Sequence, residues 1–383
     1  MRTPPSFLAL GLLGVLSCTG PAQNAPEGRP EPGIGAIFRV HGAKLPGGAQ
    51  VDLWIEGGRI REILGPDQPG PEQVFDASGR WLSPAMIDAH VHLAYAQGAP
   101  SEDLGCRDRS DDPSACLRST LAKAGFGAVV DLAAPIPSLD ETSTLLTVIN
   151  SGPMLTKPMG YPTQSWGQGG YGLEVPDPAA AVAAVDRLVA AGAGVIKVPL
   201  DEPELDLSTL TAIVTRAHHH GKKVLAHALS EAGAARGAEI GCDVLAHTPT
   251  ETLSDATVAA WSGKVVISTL TAFGKSRAAV DNLRRLHQAG ATVLYGTDLG
   301  NRRIEGLDPD EVRALSEAGL SSAEIFMALT REPAQVFGLD TLGELSPGRQ
   351  ARFLVLAADP AVDPGTLLSP LEVWVDGAPL LER

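Results

Sequence analysis

Two histidines lie one residue apart in the apolar segment MIDAHVHL, Met86 to Leu93. Side chains alternate between the two faces of a strand, so His90 and His92 point to the same side. An imidazole pair on one face can bind a divalent metal ion, whereas two buried histidines bonded to backbone carbonyls are the alternative. The pair indicates a metal site only if other ligands converge on it.

Four further residues with side chains suited to metal sites lie in strand-like segments. They are Lys197 in GVIKV, His227 and His247 at the ends of two VLAH segments, and Asp298 in VLYGTD. His90 and Asp298 are 208 residues apart (298 minus 90), or about 30 residues for each of seven β/α units. This spacing predicts that the six residues lie on strands one, four, five, six and eight of a barrel, near the carboxyl ends where barrel active sites lie.

The middle of the chain alternates between apolar strand-like segments and segments of helical periodicity. One such helix is marked by Leu210, Ile213 and Val214, and Ser208 is expected to cap it. Alternation over roughly 250 residues predicts a parallel α/β fold, and the length favours a (β/α)8 barrel of the TIM type. A doubly wound open sheet is the alternative.

Short β elements at both ends of the chain predict a second, small domain. VDLWIE and RIREIL flank a hairpin turn at Gly57-Gly58, and RFLVLA and LEVWV lie near the other end. We predict a β-sandwich built from residues 35–80 and 338–383, and a metal-binding barrel over residues 81–337.

The first residues predict export. Arg2 precedes the apolar residues 7–16, which are too few to span a bilayer and are typical of a signal peptide. Residues 1–18 resemble a lipoprotein signal whose lipobox Cys18 is lipidated; an ordinary cleaved signal is the alternative. Residues 19–34, rich in proline and glycine, predict a disordered linker. Thr19, rather than Asp, follows the cysteine, and the resemblance to Gram-negative lipoproteins then implies the outer membrane, with the protein facing the periplasm or the cell surface.

Export also permits a disulfide, and overall charge limits the partners. Cys106 and Cys116 lie in one polar loop and are expected to pair; two free thiols are the alternative.

The formal net charge of −15, without a clustered basic patch, excludes nucleic acid as an expected partner. The expected partners are a small-molecule substrate and a membrane reached through the lipid anchor, and the oligomeric state stays open.

The six residues together resemble the ligand set of the metal-dependent amidohydrolase superfamily, in its binuclear form with a carboxylated lysine. The likeness covers nearly the whole chain after the leader, since GELSPGRQARFLVL resembles that family's return into its sandwich. Its closest subgroups are the imidazolonepropionase-like and prolidase-like amidohydrolases. The resemblance implies two divalent metal ions; Zn2+ is expected first, and Mn2+, Co2+ and Fe2+ are the other possibilities. It implies that one ion is bound by His90, His92 and Asp298 and the other by His227 and His247. A carbamate formed from CO2 on Lys197 is expected to lie between the two ions.

Three positions depart from the family's usual pattern. Ala85 stands where glycine is usual before the strand-one motif, Ala246 where glutamate often precedes the strand-six histidine, and Arg352 where an acidic residue is expected. None of the three is an expected ligand. These departures weaken the assignment to a subgroup more than they weaken the expectation of a metal-dependent hydrolase.

The resemblance implies hydrolysis of an amide or other C–N bond by a metal-activated hydroxide, with Asp298 as general base and then general acid. A dipeptide, an N-acyl amino acid or a cyclic amide is the expected substrate. The alternatives are a mononuclear deaminase or lactonase on the same fold, and a non-enzymatic surface lipoprotein.

Substrate contacts are predicted from loops that follow strands three, seven and eight. Trp166 and Tyr171 lie in a glycine-rich loop and are expected to contact substrate. Arg277 or Arg302 is expected to bind a substrate carboxylate, with solvated loop charges as the alternative.

Overall fold

The computed structural model of the chain describes residues 36–65, 68–95, 113–140, 143–201 and 204–382. Its strands are β1 (Ile37–Lys44), β2 (Gln50–Glu56), β3 (Arg59–Leu64), β4 (Val74–Asp76), β5 (Trp81–Pro84), β6 (Met86–Val91), β7 (Phe126–Asp131), β8 (Thr147–Asn150), β9 (Met154–Thr156), β10 (Gly172–Glu174), β11 (Ile196–Pro199), β12 (Val224–His227), β13 (Val244–Leu245), β14 (Val265–Ile267), β15 (Thr292–Leu294), β16 (Phe353–Leu356), β17 (Glu372–Val375) and β18 (Ala378–Glu382). Its helices are α1 (Pro113–Lys123), α2 (Pro178–Ala190), α3 (Leu207–His219), α4 (Glu231–Ile240), α5 (Asp255–Ala260), α6 (Arg277–Gln288), α7 (Pro309–Glu317), α8 (Ser322–Leu329) and α9 (Arg331–Phe337).

One sheet joins strands from both ends of the chain. Its order is β18-β17-β16-β5-β1-β2-β3, with β4 beside β1. The β2–β3 hairpin turns at Gly57 and Gly58, whose φ angles of 57° and 73° suit glycine, as the sequence predicts. Phe38 and Phe353 pack against Trp374 inside a separate apolar core. Both chain ends therefore share one sheet, while its assembly as a two-layered sandwich stays a prediction.

The middle of the chain forms parallel sheets with helices between the strands. One sheet has the order β6-β7-β8 and the other β11-β12-β13-β14-β15. Backbone hydrogen bonds link the two: Ala89 N donates to Tyr295 O at 3.0 Å, and Gly194 N donates to Asn150 O at 2.8 Å. This is the parallel α/β class that the alternation predicts, and closure into a complete barrel stays a prediction.

Helix α3 shows how local sequence sets an element. Its apolar face, with Leu210 and Ile213, is buried as the periodicity predicts. The N-cap is Asp206 rather than the expected Ser208, because the Asp206 carboxylate accepts a hydrogen bond from Thr209 N at 3.0 Å. Ser208 lies inside the first turn instead.

Several predictions for the leader and its neighbourhood fall beyond the described part of the chain. Residues 1–18 with Cys18, the linker 19–34, and Cys106 all lie outside the described residues. Cys116 is disulfide-bonded, and Cys242 is free and buried. Pairing of Cys116 with Cys106 stays a prediction. Among the described residues, no helix is both long enough and apolar enough to cross a bilayer.

Candidate metal centre

The six predicted ligands lie in or just after parallel strands, and all are buried. His90 lies in β6, Lys197 in β11 and His227 at the end of β12. His247 and Asp298 follow β13 and β15 by two and four residues. The carboxyl ends of parallel strands meet at one edge, which is why residues so distant in sequence come together.

The tightest group joins the first and last of these strands. His90 Nε2 is 3.3 Å from His92 Nε2, and Asp298 Oδ1 is 3.5 Å and 3.1 Å from those two atoms. Asp298 N donates to His90 O at 2.9 Å, which fixes the chain after β15 against β6. One ligand atom from each residue lies within 4.8 Å of the others, as a shared ion requires.

The other three residues surround this group. Lys197 Nζ lies 3.4 Å from His90 Nε2. The His247 ring centre is 4.4 Å from that of His90 and 4.7 Å from that of His227. The structure therefore brings all six predicted ligands into one cluster.

Hydrogen bonds outside the cluster determine which imidazole nitrogen is available to an ion. His90 Nδ1 is 2.7 Å from Ala246 O, and a carbonyl only accepts, so Nδ1 carries the proton and Nε2 presents a lone pair to the cluster. His247 Nδ1 is 3.0 Å from Thr269 Oγ1. His227 Nε2 lies 3.6 Å from Asp201 Oδ2, which is too long for a hydrogen bond but close enough for an electrostatic contact. Metal-bound histidines are held in the same manner.

Burial gives these groups the protonation states that metal ligands need. Burial lowers the pKa of His90 and His247 well below the usual range and that of His227 to about 4. Burial acts to raise the pKa of Asp298, but His90 and His92 lower it to about 2. Buried Asp298 Oδ2 and His92 Nδ1 have no hydrogen-bond partner among the described residues. Neutral imidazoles, an ionised carboxylate and an unsatisfied oxygen fit a divalent cation.

Lys197 is the one cationic side chain among the six, and its surroundings favour the neutral amine. The residue is fully buried between Ile196 and Val198. Burial lowers its pKa to about 7, although Asp298 and Asp131 act to raise it. A neutral amine is the form that can react with CO2.

A cavity of about 210 Å3 opens beside the cluster. Its described lining is His92, Met154, Tyr161, His227, His247, Ala272, Phe273, Asp298 and Asn301. Sequence reasoning missed Met154, Tyr161, Phe273 and Asn301. Asn301, whose Nδ2 donates to Asp298 Oδ1 at 3.0 Å, could have been found from its position three residues after a ligand.

The two aromatic residues predicted to contact substrate lie behind this lining. Trp166 packs 5.5 Å from the His92 ring and donates from Nε1 to Tyr161 OH at 3.0 Å. Tyr171 OH donates to Ala94 O at 2.7 Å. Both support the cavity wall, and direct contact with substrate stays a prediction.

The two predicted arginines also lie outside the described lining. Arg302 donates from Nη2 to buried Asp308 Oδ2 at 2.9 Å, and Arg277 is exposed at the start of α6. Their role in binding a substrate carboxylate stays a prediction.

Comparisons with known proteins bear on the family and the fold of this chain. A model described as "Amidohydrolase family" matches residues 81–379. An uncharacterised Mycobacterium tuberculosis protein is 27% identical over 369 residues, covering 87% of this chain and 93% of the relative. An imidazolonepropionase of Streptomyces avermitilis is 27% identical over 411 residues, covering 95% of each chain. The crystal structure of a Xaa-Pro dipeptidase with bound methionine superimposes with a TM-score of 0.77 at 19% identity, covering 91% of this chain and 100% of the other. The structural likeness gives this chain a TIM-barrel-type α/β fold.

Proposed function

The chain belongs to the amidohydrolase family, and we propose that it hydrolyses an amide or other C–N bond of a small molecule with two bound divalent ions, Zn2+ by preference. The observation that carries this proposal is the convergence of six buried residues from distant strands. Relatives named imidazolonepropionase and Xaa-Pro dipeptidase support the bond type. A dipeptide, an N-acyl amino acid or a cyclic amide is the proposed substrate.

Each residue has a proposed part in holding the ions. His90, His92 and Asp298 would hold one ion, His227 and His247 would hold the other, and Lys197, as a carbamate, would contribute to holding both. When bound, such ions acidify a water molecule and polarise a substrate carbonyl. The lowered pKa of Lys197, about 7, supports carbamate formation because the neutral amine is populated near neutral pH.

Asp298 is the proposed proton carrier. Its Oδ1 lies near His90 and His92 and accepts from Asn301, whereas its buried Oδ2 has no partner among the described residues. One oxygen can therefore serve as ligand while the other accepts a proton from the attacking water and returns it to the leaving nitrogen. A pKa of about 2 keeps the carboxylate ionised for the first step.

A single-ion enzyme, a deaminase or lactonase on the same fold, is the second candidate. It is favoured by the compactness of the His90, His92 and Asp298 group, the one set of ligand atoms within 4.8 Å of one another in the described chain. In that form the remaining histidines and Lys197 bind substrate or stabilise charge.

The location and domain division are part of the same proposal. We place the protein outside the cytoplasm, with Cys18 as a lipid anchor to the outer membrane and residues 19–34 as the tether. The barrel of residues 81–337 carries the site, and residues 35–80 and 338–383 form the sandwich.

Metal analysis combined with a substrate screen tests the proposal. Purified protein is expected to hold about two zinc equivalents and to hydrolyse members of a panel of dipeptides, N-acyl amino acids, cyclic amides and lactones, with loss of turnover on chelation. Lys197→Ala should hold about one equivalent, whereas Lys275→Ala, a surface control paired with Glu317, should match the parent. One equivalent in the parent protein would favour the single-ion enzyme. No chelator-sensitive turnover on any member would favour the non-enzymatic lipoprotein.

A further inference from the structure

The cavity has an apolar wall beside the histidines. Tyr161 stacks on the His227 ring with centres 4.8 Å apart and planes 26° apart. Phe273 meets the His247 ring edge-on, with centres 4.9 Å apart. Met154 and Ala272 complete this part of the described lining. Two fixed aromatic surfaces therefore lie next to the side of the cluster assigned to the second ion.

Tyr161 carries the one hydroxyl group of this wall. Trp166 determines whether that hydroxyl group donates or accepts in the bond between the two residues. The indole Nε1 of Trp166 donates to Tyr161 OH at 3.0 Å, and an indole N–H can only donate. The phenol oxygen is thus the acceptor in this bond, and its own hydrogen is not used there. No described residue accepts that hydrogen, so it is available to a ligand in the cavity that Tyr161 lines.

Trp166 is itself held in place. Its ring packs 4.4 Å from the ring of Tyr95 and 5.5 Å from that of His92. Because the donor to Tyr161 is fixed by these contacts, the phenol hydroxyl is oriented before a ligand binds, which lowers the entropic cost of binding.

Hydrogen bonds to two buried carboxylates hold the start of the turn that carries Phe273. Leu270 N and Thr271 N donate to the two carboxylate oxygens of buried Glu311 at 2.9 Å and 2.8 Å. Thr271 Oγ1 lies 3.0 Å from Asp308 Oδ2. These bonds hold the start of the 3-10 turn Thr271–Phe273, and the Phe273 ring itself packs edge-on against His247.

We propose that this wall is a subsite for the acyl part of a neutral carboxamide. The carbonyl oxygen accepts the Tyr161 hydroxyl hydrogen, and a flat apolar group, an aromatic ring in the simplest case, packs against Phe273 and Met154. The described lining contains no lysine or arginine, which agrees with an uncharged acyl group. This inference rests on the proposed function. A carboxamide bound in this way has its carbonyl carbon beside the clustered histidines, where the proposed hydrolysis takes place.

Equilibrium binding of two neutral amides tests the subsite without requiring turnover. Dissociation constants of benzamide and acetamide are measured by calorimetry on the zinc-loaded full chain and on three variants. In the parent protein benzamide should bind about 10- to 100-fold more tightly, since burial of an aromatic ring contributes that much. Phe273→Leu should reduce this ratio to about 3-fold or less, because it keeps apolar volume and removes the flat surface.

The hydroxyl group is tested separately. Tyr161→Phe should weaken both amides by about 3- to 10-fold and leave their ratio unchanged, since one hydrogen bond is lost in each complex. Phe337→Leu, at the end of α9 and not part of the described cavity lining, is the matched control and should bind both amides like the parent.

Either half of the inference can fail alone. Equal affinities in the parent, or a parent-like ratio in Phe273→Leu, would show that the apolar subsite is wrong. Parent-like binding by Tyr161→Phe would show that the hydroxyl group is not the donor. These constants stay measurable if no amide is hydrolysed, so failure of the proposed function is recognised separately, by absence of chelator-sensitive turnover.

Discussion

At the scale of single residues, His90 organises much of the site. Its Nδ1 bonds Ala246 O, and its Nε2 lies 3.3 to 3.5 Å from His92, Lys197 and Asp298. Because a backbone carbonyl fixes the ring, no side chain is needed to orient it. This explains how alanine at position 246 is compatible with the site, since the backbone supplies the contact.

Lys197 gives a prediction that depends on pH. Its pKa of about 7 means that the ammonium form prevails below pH 7 and the neutral amine above it. Under 13CO2, the carbamate signal in carbon NMR should therefore rise as pH is raised from about 6 to about 8. Lys197→Ala should lack the signal at every pH. A signal that is unchanged over this range, or that persists in the variant, would contradict the assignment.

Arg302 gives a second prediction. Its ion pair with buried Asp308 indicates a structural role, so Arg302→Ala should lower the free energy of unfolding by about 1 to 3 kcal/mol. We expect its effect on kcat/KM to be the same for an N-acyl amino acid and for the corresponding uncharged amide. Exposed Arg277→Ala should leave stability unchanged. A kcat/KM loss confined to the carboxylate-bearing substrate would instead support the binding role predicted from sequence.

The ligand types were predictable from sequence, whereas the cavity lining was not. His90, His92 and Asp298 are recognisable because metal ligands are few in kind and recur at strand spacing. Tyr161 and Phe273 are not, because aromatic residues are common in cores and only three-dimensional placement shows that these two line a cavity.

At the scale of elements, Asp88 connects the first and last strands of the site. It accepts hydrogen bonds from His90 N at 3.0 Å, Thr297 N at 3.1 Å and Thr297 Oγ1 at 2.6 Å. The residue is buried in β6, and Thr297 follows β15 by three positions. The carboxyl group therefore fixes the distance between the segments that carry His90 and Asp298.

Loss of this connection should be measurable as a loss of stability. Asp88→Ala removes three hydrogen bonds and leaves buried donors unpaired. We therefore expect the free energy of unfolding, measured by denaturant titration, to fall by about 2 to 4 kcal/mol. The zinc content should fall with it. Asp206→Ala is the control, since the hydrogen bonds that it removes all lie within the first turn of α3; it should cost about 1 kcal/mol and leave the zinc content unchanged. Equal effects of the two variants on zinc content would contradict the connecting role.

Sequence periodicity predicted the elements better than their ends. The hairpin at Gly57-Gly58 and the buried face of α3 follow from turn chemistry and spacing. The cap of α3 does not, because both Asp206 and Ser208 have capping side chains and the backbone decides between them. Asp298 likewise lies beyond its strand with φ of 58°, a left-handed conformation that no periodicity indicates.

At the scale of the whole molecule, the alternation of strands and helices was sufficient to predict the parallel α/β fold class. They did not predict the order of the terminal sheet, in which β5 pairs with β16 across about 270 residues. Pairing between strands so far apart in sequence depends on which apolar faces pack together. A single sequence offers several strands that could pair with β5 equally well.

The predicted anchor is tested on the full-length chain. Cys18→Ser should move the protein from the membrane fraction to the soluble fraction after cell lysis, because one residue carries the lipid. Its kcat/KM on a hydrolysed amide should equal that of the parent, since the tether is separate from the barrel in the proposed domain division. Retention of Cys18→Ser in the membrane fraction would contradict lipid anchoring at this residue.

The terminal sheet also has a consequence for the order in which the protein can be made. The amino-terminal strands of this sheet can be joined by β16 and β17, two of the last three described strands, only after those strands have been synthesised. While the ribosome is still adding those residues, Phe38 has no Trp374 to cover it and β5 has an open edge. The amino-terminal strands therefore cannot complete this sheet until β16 and β17 have been translated, and β5 lacks its β16 partner while the parallel sheets between them are synthesised.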